Sequence, residues 1–491
     1  MRIILLTPAR RFIANRFGVG YQIPLGMVLI GGPLINAGHA VHLIDNDAYG
    51  WDHARLADEV RAFGADCVML GHTGSTAAHD TCIATAQALR DALRDALPSV
   101  KIVYGGVYPS YAARETLEQH SAIDVIVRGE GEQTVLDLVA SWDRGEPLGR
   151  VKGIAWRDGS TIHLNPPQPT LTTLDAYRPG WELVDWPRYN LFGIGRSAGM
   201  QFSRGCPLTC TYCGQWMFWR KWRHRSAEIV VAELTTLARD YGVRYVWFAD
   251  ENFGADRDAV QELLEQIIAA NLGLSLNINL TAAGVVRDAD LLPLYKAAGV
   301  DYVVMGIESL EDNVISAVHK DNPFAISKEA VRLLRQHKII SLTNVIYGLE
   351  DENAPKLLTK LKKVFELDSD ILNACYITPH FWTADGKRTN PADVIQHDQS
   401  KWTYRNQVVV APHLSPVVLF MGVKLTEAIF HLRPAGLARL FFGNDGRVRK
   451  ILRASLLGGV CVVIAEIVEF LSDTHFASQV ERRAFKLDHA S

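Results

Sequence analysis

Arg204-Gly205-Cys206-Pro207-Leu208-Thr209-Cys210-Thr211-Tyr212-Cys213 places three cysteines in a C-x3-C-x2-C spacing near the middle of the chain. Three thiolates on one short loop can each take one iron of a cubane cluster, whose four irons otherwise call for four cysteines. One iron is then left without a protein ligand, open to a small molecule that it can chelate and reduce. Two other readings of the triplet stand beside this one. A structural zinc site takes four Cys or His ligands in paired knuckles, and no second C-x2-C or H-x3-H pair occurs in the chain. A closed electron-transfer cluster needs a fourth cysteine. Cys375 is the best-placed candidate, because Cys67 and Cys82 fall in an upstream domain and Cys461 in an apolar helical run.

The spacing, with aromatic Tyr212 before the last cysteine, resembles the signature of the radical SAM superfamily. That resemblance implies a 4Fe-4S cluster on Cys206, Cys210 and Cys213, with S-adenosylmethionine bound and cleaved at the open iron. It also implies a partial (β/α)6 barrel. From residue 199 onward the pattern alternates accordingly, with strands expected at 201–203, 245–249, 275–279, 302–307, 340–347 and 370–377. Barrel chemistry gathers at the carboxyl ends of strands. The cysteine loop follows the first of them. After the second comes Asp250-Glu251-Asn252, at the position of the superfamily's Gly-Gly-Glu, which implies that these residues receive the methionyl ammonium. An acceptor-only carboxylate suits a cation, although an acid there also suits a helix N-cap. Glu308 and Ser309, after the fourth strand, are assigned to the amino-acid or ribose part of S-adenosylmethionine. After the third strand, Thr281-Ala282-Ala283 stands where related sequences often show an arginine.

Upstream, apolar runs at 3–7, 42–45, 67–71, 102–104 and 125–127 alternate with helical periodicity at 24–37, 53–63 and 78–97. The alternation predicts an α/β, Rossmann-like first domain around a doubly wound parallel sheet, with ligand at the carboxyl ends of the strands. No G-x-G-x-x-G opens the first helix, so a dinucleotide is disfavoured. The glycines and small hydroxyl residues at the strand ends resemble the cobalamin-binding domain fused to many radical SAM enzymes, most tellingly in Gly105-Gly106 and Arg128-Gly129-Glu130-Gly131-Glu132. The resemblance implies cobalamin contacts from Thr7, Asp45, Thr73, Ser75, Gly105, Gly106, Gly129 and Glu130. One departure is informative. Cobalamin domains that ligate cobalt through histidine carry D-x-H-x-x-G, whereas this chain has Asp45-Asn46-Asp47-Ala48-Tyr49-Gly50, with Asp47 in the ligand position. Nearby His72 and His79 each read as a loop residue or a helix cap and not as a ligand.

Beyond the cysteines, Gly214-Gln215-Trp216-Met217-Phe218-Trp219-Arg220-Lys221-Trp222 sets aromatics among basic residues. These side chains could floor a flat apolar substrate and meet its carboxylates, or they could be core and rim. With Tyr376-Ile377-Thr378-Pro379-His380 and the Arg-Gly-Glu-Gly-Glu stretch, the run resembles the family of anaerobic oxidative cyclases of magnesium-protoporphyrin monomethyl ester and their cobalamin-dependent methylase relatives. The likeness covers roughly residues 1–400. It implies an oxidoreductase of bacteriochlorophyll biosynthesis acting on an apolar tetrapyrrole and fed by a reduced ferredoxin- or flavodoxin-type donor. It implies substrate contacts from Gln215, Trp216, Trp219, Arg220 and His380, with Trp382 beside them. The alternative is a C-methyltransferase acting on a bacteriochlorophyllide, hopanoid or similar skeleton. A non-catalytic sensor would have no need of an open iron.

Composition bounds the rest. A chain of 491 residues predicts several domains. We place them at 1–140 (cobalamin-binding), 141–198 (a hairpin at 153–164 and a proline-rich linker), 199–400 (barrel) and 401–491 (helical). The net charge of −3 gives no electrostatic footprint for nucleic acid. Seven cysteines without a paired framework or signal peptide point to a reducing cytoplasm. The apolar run 454–465 falls short of a membrane span, so no transmembrane helix is expected. Amphipathic helices at 417–431, 435–442 and 448–471 either cap the barrel or rest against a membrane. Acidic breaks at Glu427, Glu466 and Glu469 favour docking on the barrel.

Overall fold

The computed structural model describes residues 1–9, 22–72, 76–191, 194–320, 322–349 and 352–472. Thr73 and Ser75 lie outside the described residues. The chain divides into two compact units, passing from the first to the second between Tyr189 and Asn190.

In the first unit, β1 (Arg2–Thr7), β2 (Ala40–Asp45), β3 (Cys67–Gly71), β4 (Lys101–Gly105) and β5 (Val125–Val127) pair in parallel in the order β2-β1-β3-β4-β5. Ile3 to Leu6 are fully buried. A strand covered on both faces needs such a continuous apolar run. The expected hairpin forms as β6 (Ile154–Asp158) and β7 (Thr161–Leu164), with Gly159 turning at φ 57°. It is not a separate linker element. β6 pairs antiparallel with β5 and extends the same sheet, because β5 would otherwise present an unpaired edge.

In the second unit, β8 (Ser197–Met200), β11 (Tyr245–Phe248), β12 (Ser275–Asn279), β13 (Val300–Glu308), β14 (Ile340–Tyr347) and β15 (Ile371–Tyr376) form a six-stranded parallel sheet. Each neighbour is the next of these strands in sequence, as in an opened barrel. One expectation is corrected: the first strand is Ser197–Met200, four residues before 201–203. The short β9 (Ser203–Arg204) instead pairs antiparallel with β10 (Arg223–His224), pairing Arg204 with Arg223. That clamp closes the cysteine loop at its base.

The carboxyl-terminal helices Pro416–His431, Pro434–Phe442 and Gly446–Ser472 pack on this unit. The last is long and apolar enough, by length and composition, to cross a membrane. It is instead held by a buried charge network. Arg405 Nε donates to Glu466 Oε1 (2.5 Å) and Arg405 Nη2 to Glu427 Oε1 (3.1 Å). Lys424 Nζ reaches Glu427 Oε2 (2.6 Å) and Glu466 Oε2 (2.7 Å). Two acids against two bases leave no net charge, and Arg405 satisfies its remaining donor on Asn373 Oδ1 and the Ala374 carbonyl. Burying ions is tolerable only when they are paired this fully.

Removing Glu466 leaves two buried cations sharing the single carboxylate of Glu427, one charge uncompensated. Glu466→Leu should therefore destabilise the protein by about 3–5 kcal/mol, read as a fall in the midpoint of chemical unfolding, and a double variant Lys424→Met/Glu466→Leu should lose less than the sum of the single changes.

Candidate active site

The cysteine loop begins where chain geometry leaves little choice. Gly205 sits at φ 90°, and a Cβ there would overlap the Lys221 carbonyl oxygen and lie 2.9 Å from that of Arg220. Only glycine fits. Ahead of it, the Asp250 carboxylate accepts from the Phe202 N–H (3.2 Å) and from both the N–H and the hydroxyl of Ser203. Burial lifts the Asp250 pKa to about 7, against those hydrogen bonds, which favour the anion. Whatever it offers a ligand, the carboxylate ties the end of β11 to the start of the cysteine loop. Glu251 accepts from the Gly205 N–H (3.0 Å), and burial also lifts its pKa to about 7. The Asn252 carbonyl accepts from Trp222 Nε1 (2.9 Å). The three residues assigned to S-adenosylmethionine after the second strand thus also position the loop and its flank.

Burial raises the pKa of all three thiols, Cys210 to about 11. Three local features work the other way. The Leu208 N–H points at Cys206, the Gln215 and Trp216 N–H groups point at Cys213, and Lys320 lies close enough to favour all three thiolates. N–H donors and a nearby cation are the means by which a protein tunes cluster sulfurs. Among the described residues no three His, Cys, Asp or Glu side chains converge on the position of a single ion. A cubane puts each thiolate on a different iron and asks for no such convergence. Cys375, the alternative fourth ligand, has its sulfur engaged by Asn373, whose Nδ2 lies 3.4 Å away, and burial raises its pKa to about 12.

Lys320 carries no motif and was not singled out in the sequence. Its Nζ lies 2.7 Å from Glu308 Oε1 and 3.4 Å from the Tyr212 hydroxyl. Burial opposes its charge, but Glu308 outweighs that, and the net shift is upward. Glu308 stands at φ 67° beside a register shift between β13 and β14, a strained position for a non-glycine residue. A Cβ on Gly306 would overlap Glu308 Oε1 and approach Lys320 Nζ to 2.6 Å. The only hint in the sequence was the glycine before the acid. Ser309 is buried, and its hydroxyl accepts from the Glu311 N–H (3.1 Å). Thr281, in the position of the missing arginine, caps its helix by accepting from the Gly284 N–H.

None of Trp216, Met217, Phe218 and Trp219 is buried, so this run is not core. Trp216 Nε1 donates to the Cys210 carbonyl (3.1 Å), and the Arg204 guanidinium lies over the Trp219 ring. Arg220 is exposed, whereas Arg223 donates to the carbonyls of Trp219 and Lys221 and so shapes the loop. His380 stacks on Trp382 (4.7 Å), Trp382 Nε1 donates to the Gly214 carbonyl (3.0 Å), and burial lowers the His380 pKa to about 4. The segment after the sixth strand and the aromatic run, far apart in sequence, meet beside Gln215.

In the first unit, strand order reverses between β1 and β3, the position where ligands bind such sheets. Thr7 Oγ1 is buried there with no hydrogen-bond partner among the described residues. Gly106 (φ 127°) and Gly129 (φ 79°) turn the next strand ends, and a Cβ on Gly129 would meet nothing within 4 Å. Ser110 links them, donating to the Gly106 carbonyl (2.6 Å) and accepting from the Gly129 N–H (2.9 Å). An orphaned hydroxyl and open glycine backbones fit a large flat ligand such as cobalamin. Asp45 is engaged instead. It caps the turn Asn46–Tyr49 and accepts from the Tyr189 hydroxyl (2.6 Å), and burial raises its pKa to about 6. Glu130 accepts from the Leu171 N–H (2.8 Å). His79 is not a cap but lies within helix Thr76–Leu93, stacked on Tyr108.

Comparison with known proteins agrees with this division. The Radical SAM superfamily model matches residues 200–361 and the B12 binding domain model residues 17–139. The chain is 38% identical to the anaerobic magnesium-protoporphyrin IX monomethyl ester cyclase of Synechocystis sp., over 96% of this chain and 93% of that one. It is 30% identical to the cyclase of the same name from Cereibacter sphaeroides, over 93% of this chain and 74% of that one. Its fold matches the radical S-adenosylmethionine methyltransferase TsrM from Kitasatospora setae, solved with cobalamin and a [4Fe-4S] cluster bound, at a TM-score of 0.67 and 16% identity, covering 94% and 99% of the two chains.

Two outcomes test the site. Gly205→Ala should strain the loop by about 1–2 kcal/mol or more and lower the iron bound per chain after anaerobic reconstitution. Lys320→Met removes a cation that favours the reduced, more negative cluster. Its iron content should hold while the cluster midpoint potential, followed by electron paramagnetic resonance in a redox titration, moves to more negative values.

Proposed function

The chain belongs to the cobalamin-dependent radical SAM family that includes the anaerobic magnesium-protoporphyrin IX monomethyl ester cyclases, and from that premise we propose that it carries out the same O2-independent cyclisation. The family's cofactors, a 4Fe-4S cluster, S-adenosylmethionine and cobalamin, together supply the radical and redox chemistry by which an unactivated side-chain carbon is opened to oxidation, with oxygen coming from water. The chain's own residues have narrower tasks. Cys206, Cys210 and Cys213 hold three irons and leave the fourth for S-adenosylmethionine. Glu251, beside the loop it fixes, is the acid we assign to the methionyl ammonium, and Lys320 with Glu308 presents an ion pair next to the triplet.

The observation that carries the substrate reading is the partly buried run Trp216–Trp219, rich in aromatics, beside the stacked His380–Trp382 pair. A flat macrocycle is held by stacking on such rings, and exposed Arg220 suits its carboxylate. His380, kept neutral by burial near pH 7, can accept or donate one hydrogen bond without adding charge to an apolar site. We assign cobalamin to the strand ends of the first unit at Thr7, Gly105, Gly106 and Gly129. Because Asp47 replaces the ligand histidine of D-x-H-x-x-G, that loop provides no imidazole for the lower face of the corrin. A reduced ferredoxin- or flavodoxin-type protein is the electron donor in this reading.

Reconstituted protein incubated anaerobically with reductant, cobalamin, S-adenosylmethionine and magnesium-protoporphyrin monomethyl ester in H2(18)O should give 5′-deoxyadenosine and a product whose new ketone carries the heavy oxygen. A product that instead gains a methyl group from labelled S-adenosylmethionine would make the chain a C-methyltransferase, and no 5′-deoxyadenosine at all would make it a sensor.

A further inference from the structure

The carboxyl-terminal helices are apolar on both sides: they bury Leu419, Val423, Phe430, Ile451 and Leu452, and turn a second apolar stripe outward. A helix on a globular protein turns its apolar side to the core and its charges to water. On Pro416–His431 the charged Lys424 and Glu427 are buried, whereas Val418, Met421, Leu425 and Ile429 face outward, with exposed Leu432 just past the helix end and Met421 with 60% of its surface exposed. On Gly446–Ser472 the same holds: Glu466 is buried, while Leu457, Val460, Ile464, Val468 and Leu471 face outward at helical spacing. The two helices touch through Phe420 stacked on Phe470 (4.0 Å) and through the Lys424–Glu466 pair, so their outward stripes lie side by side. Phe441 and Phe442, the latter 80% exposed, add two rings at the end of the intervening helix. Apolar surface this continuous marks an interaction site on a water-soluble fold.

Charge identifies the occupant. Arg449, Lys450 and Arg453 stand at the start of the last helix, next to the exposed phenylalanines, and none has a carboxylate partner among the described residues. From Gly446 to Val468 no acidic side chain is exposed. Unpaired cations beside exposed phenylalanines and aliphatic stripes match the interface of an anionic lipid leaflet, where basic groups meet headgroups and apolar groups enter the acyl boundary. The buried network on Glu466 keeps the last helix on its own unit, which opposes its crossing the bilayer. We propose that these helices form a monotopic docking surface that seats the protein on a membrane leaflet rich in anionic lipid. The proposal stands on the surface alone and not on the identity of the substrate.

The test is flotation of the full-length protein with vesicles of phosphatidylcholine alone or mixed with phosphatidylglycerol. The protein should float with the mixed vesicles and do so less as salt rises. Met421→Glu/Leu425→Glu and Leu457→Glu/Val460→Glu change only exposed side chains, and each pair should weaken flotation by roughly tenfold or more while leaving iron content and circular dichroism unchanged. Four results overturn the proposal: no flotation of the wild type; flotation undiminished in both variants; flotation abolished by ending the chain at Ser472; or, without lipid, a dimer by analytical ultracentrifugation that the same substitutions dissociate, which would make the face an interface between copies.

Discussion

The site depends on how firmly one loop is anchored. Three donors from Phe202 and Ser203 converge on the buried carboxylate of Asp250, and the ladder between β9 and β10 closes the loop on its far side. A carboxylate in a dry environment is costly unless its hydrogen bonds are made, so each partner fixes the others. Gly205 and Glu251 continue the same anchoring one residue further on. The cysteines therefore hang from the ends of two barrel strands and not from a free surface loop. A constellation supported by neighbouring elements in this way keeps its geometry when a ligand arrives.

Charge around the triplet is arranged to oppose burial. Dry surroundings favour neutral thiols, yet an iron site needs thiolates. The loop's N–H groups and the ammonium of Lys320 supply the compensation, and Glu308 keeps that ammonium charged. Backbone strain at Glu308 belongs to the same arrangement, since the bulge in β13 is what turns its carboxylate to Lys320. Strain of this kind persists only where the surroundings determine the conformation.

Away from the site, the carboxyl-terminal helices bury a charge network among apolar residues and also expose apolar side chains. Arg405, Lys424, Glu427 and Glu466 satisfy one another in the interior. The same pairing that fastens these helices to the barrel leaves their outer faces apolar.

Period and spacing in the sequence determined the alternating strands and helices of both units, the hairpin at Asp158-Gly159, the three carboxyl-terminal helices and the cysteine triplet, because these are local patterns read over a few residues. The first barrel strand was misplaced by four residues because Ser197-Ala198-Gly199 has weak strand propensity, and only pairing with β11 shows that Ser197–Met200 is in the sheet. Asp250, Asp45 and Glu130 were legible as acids at strand ends. Tertiary structure alone decided that their carboxylates are occupied by partners up to 144 residues away. It alone brought Lys320 to Glu308 and His380 to the aromatic run, and it alone turned Glu427 and Glu466 inward. Such choices depend on which distant groups share a dry environment, and burial with its hydrogen-bond and charge partners is not written in local spacing.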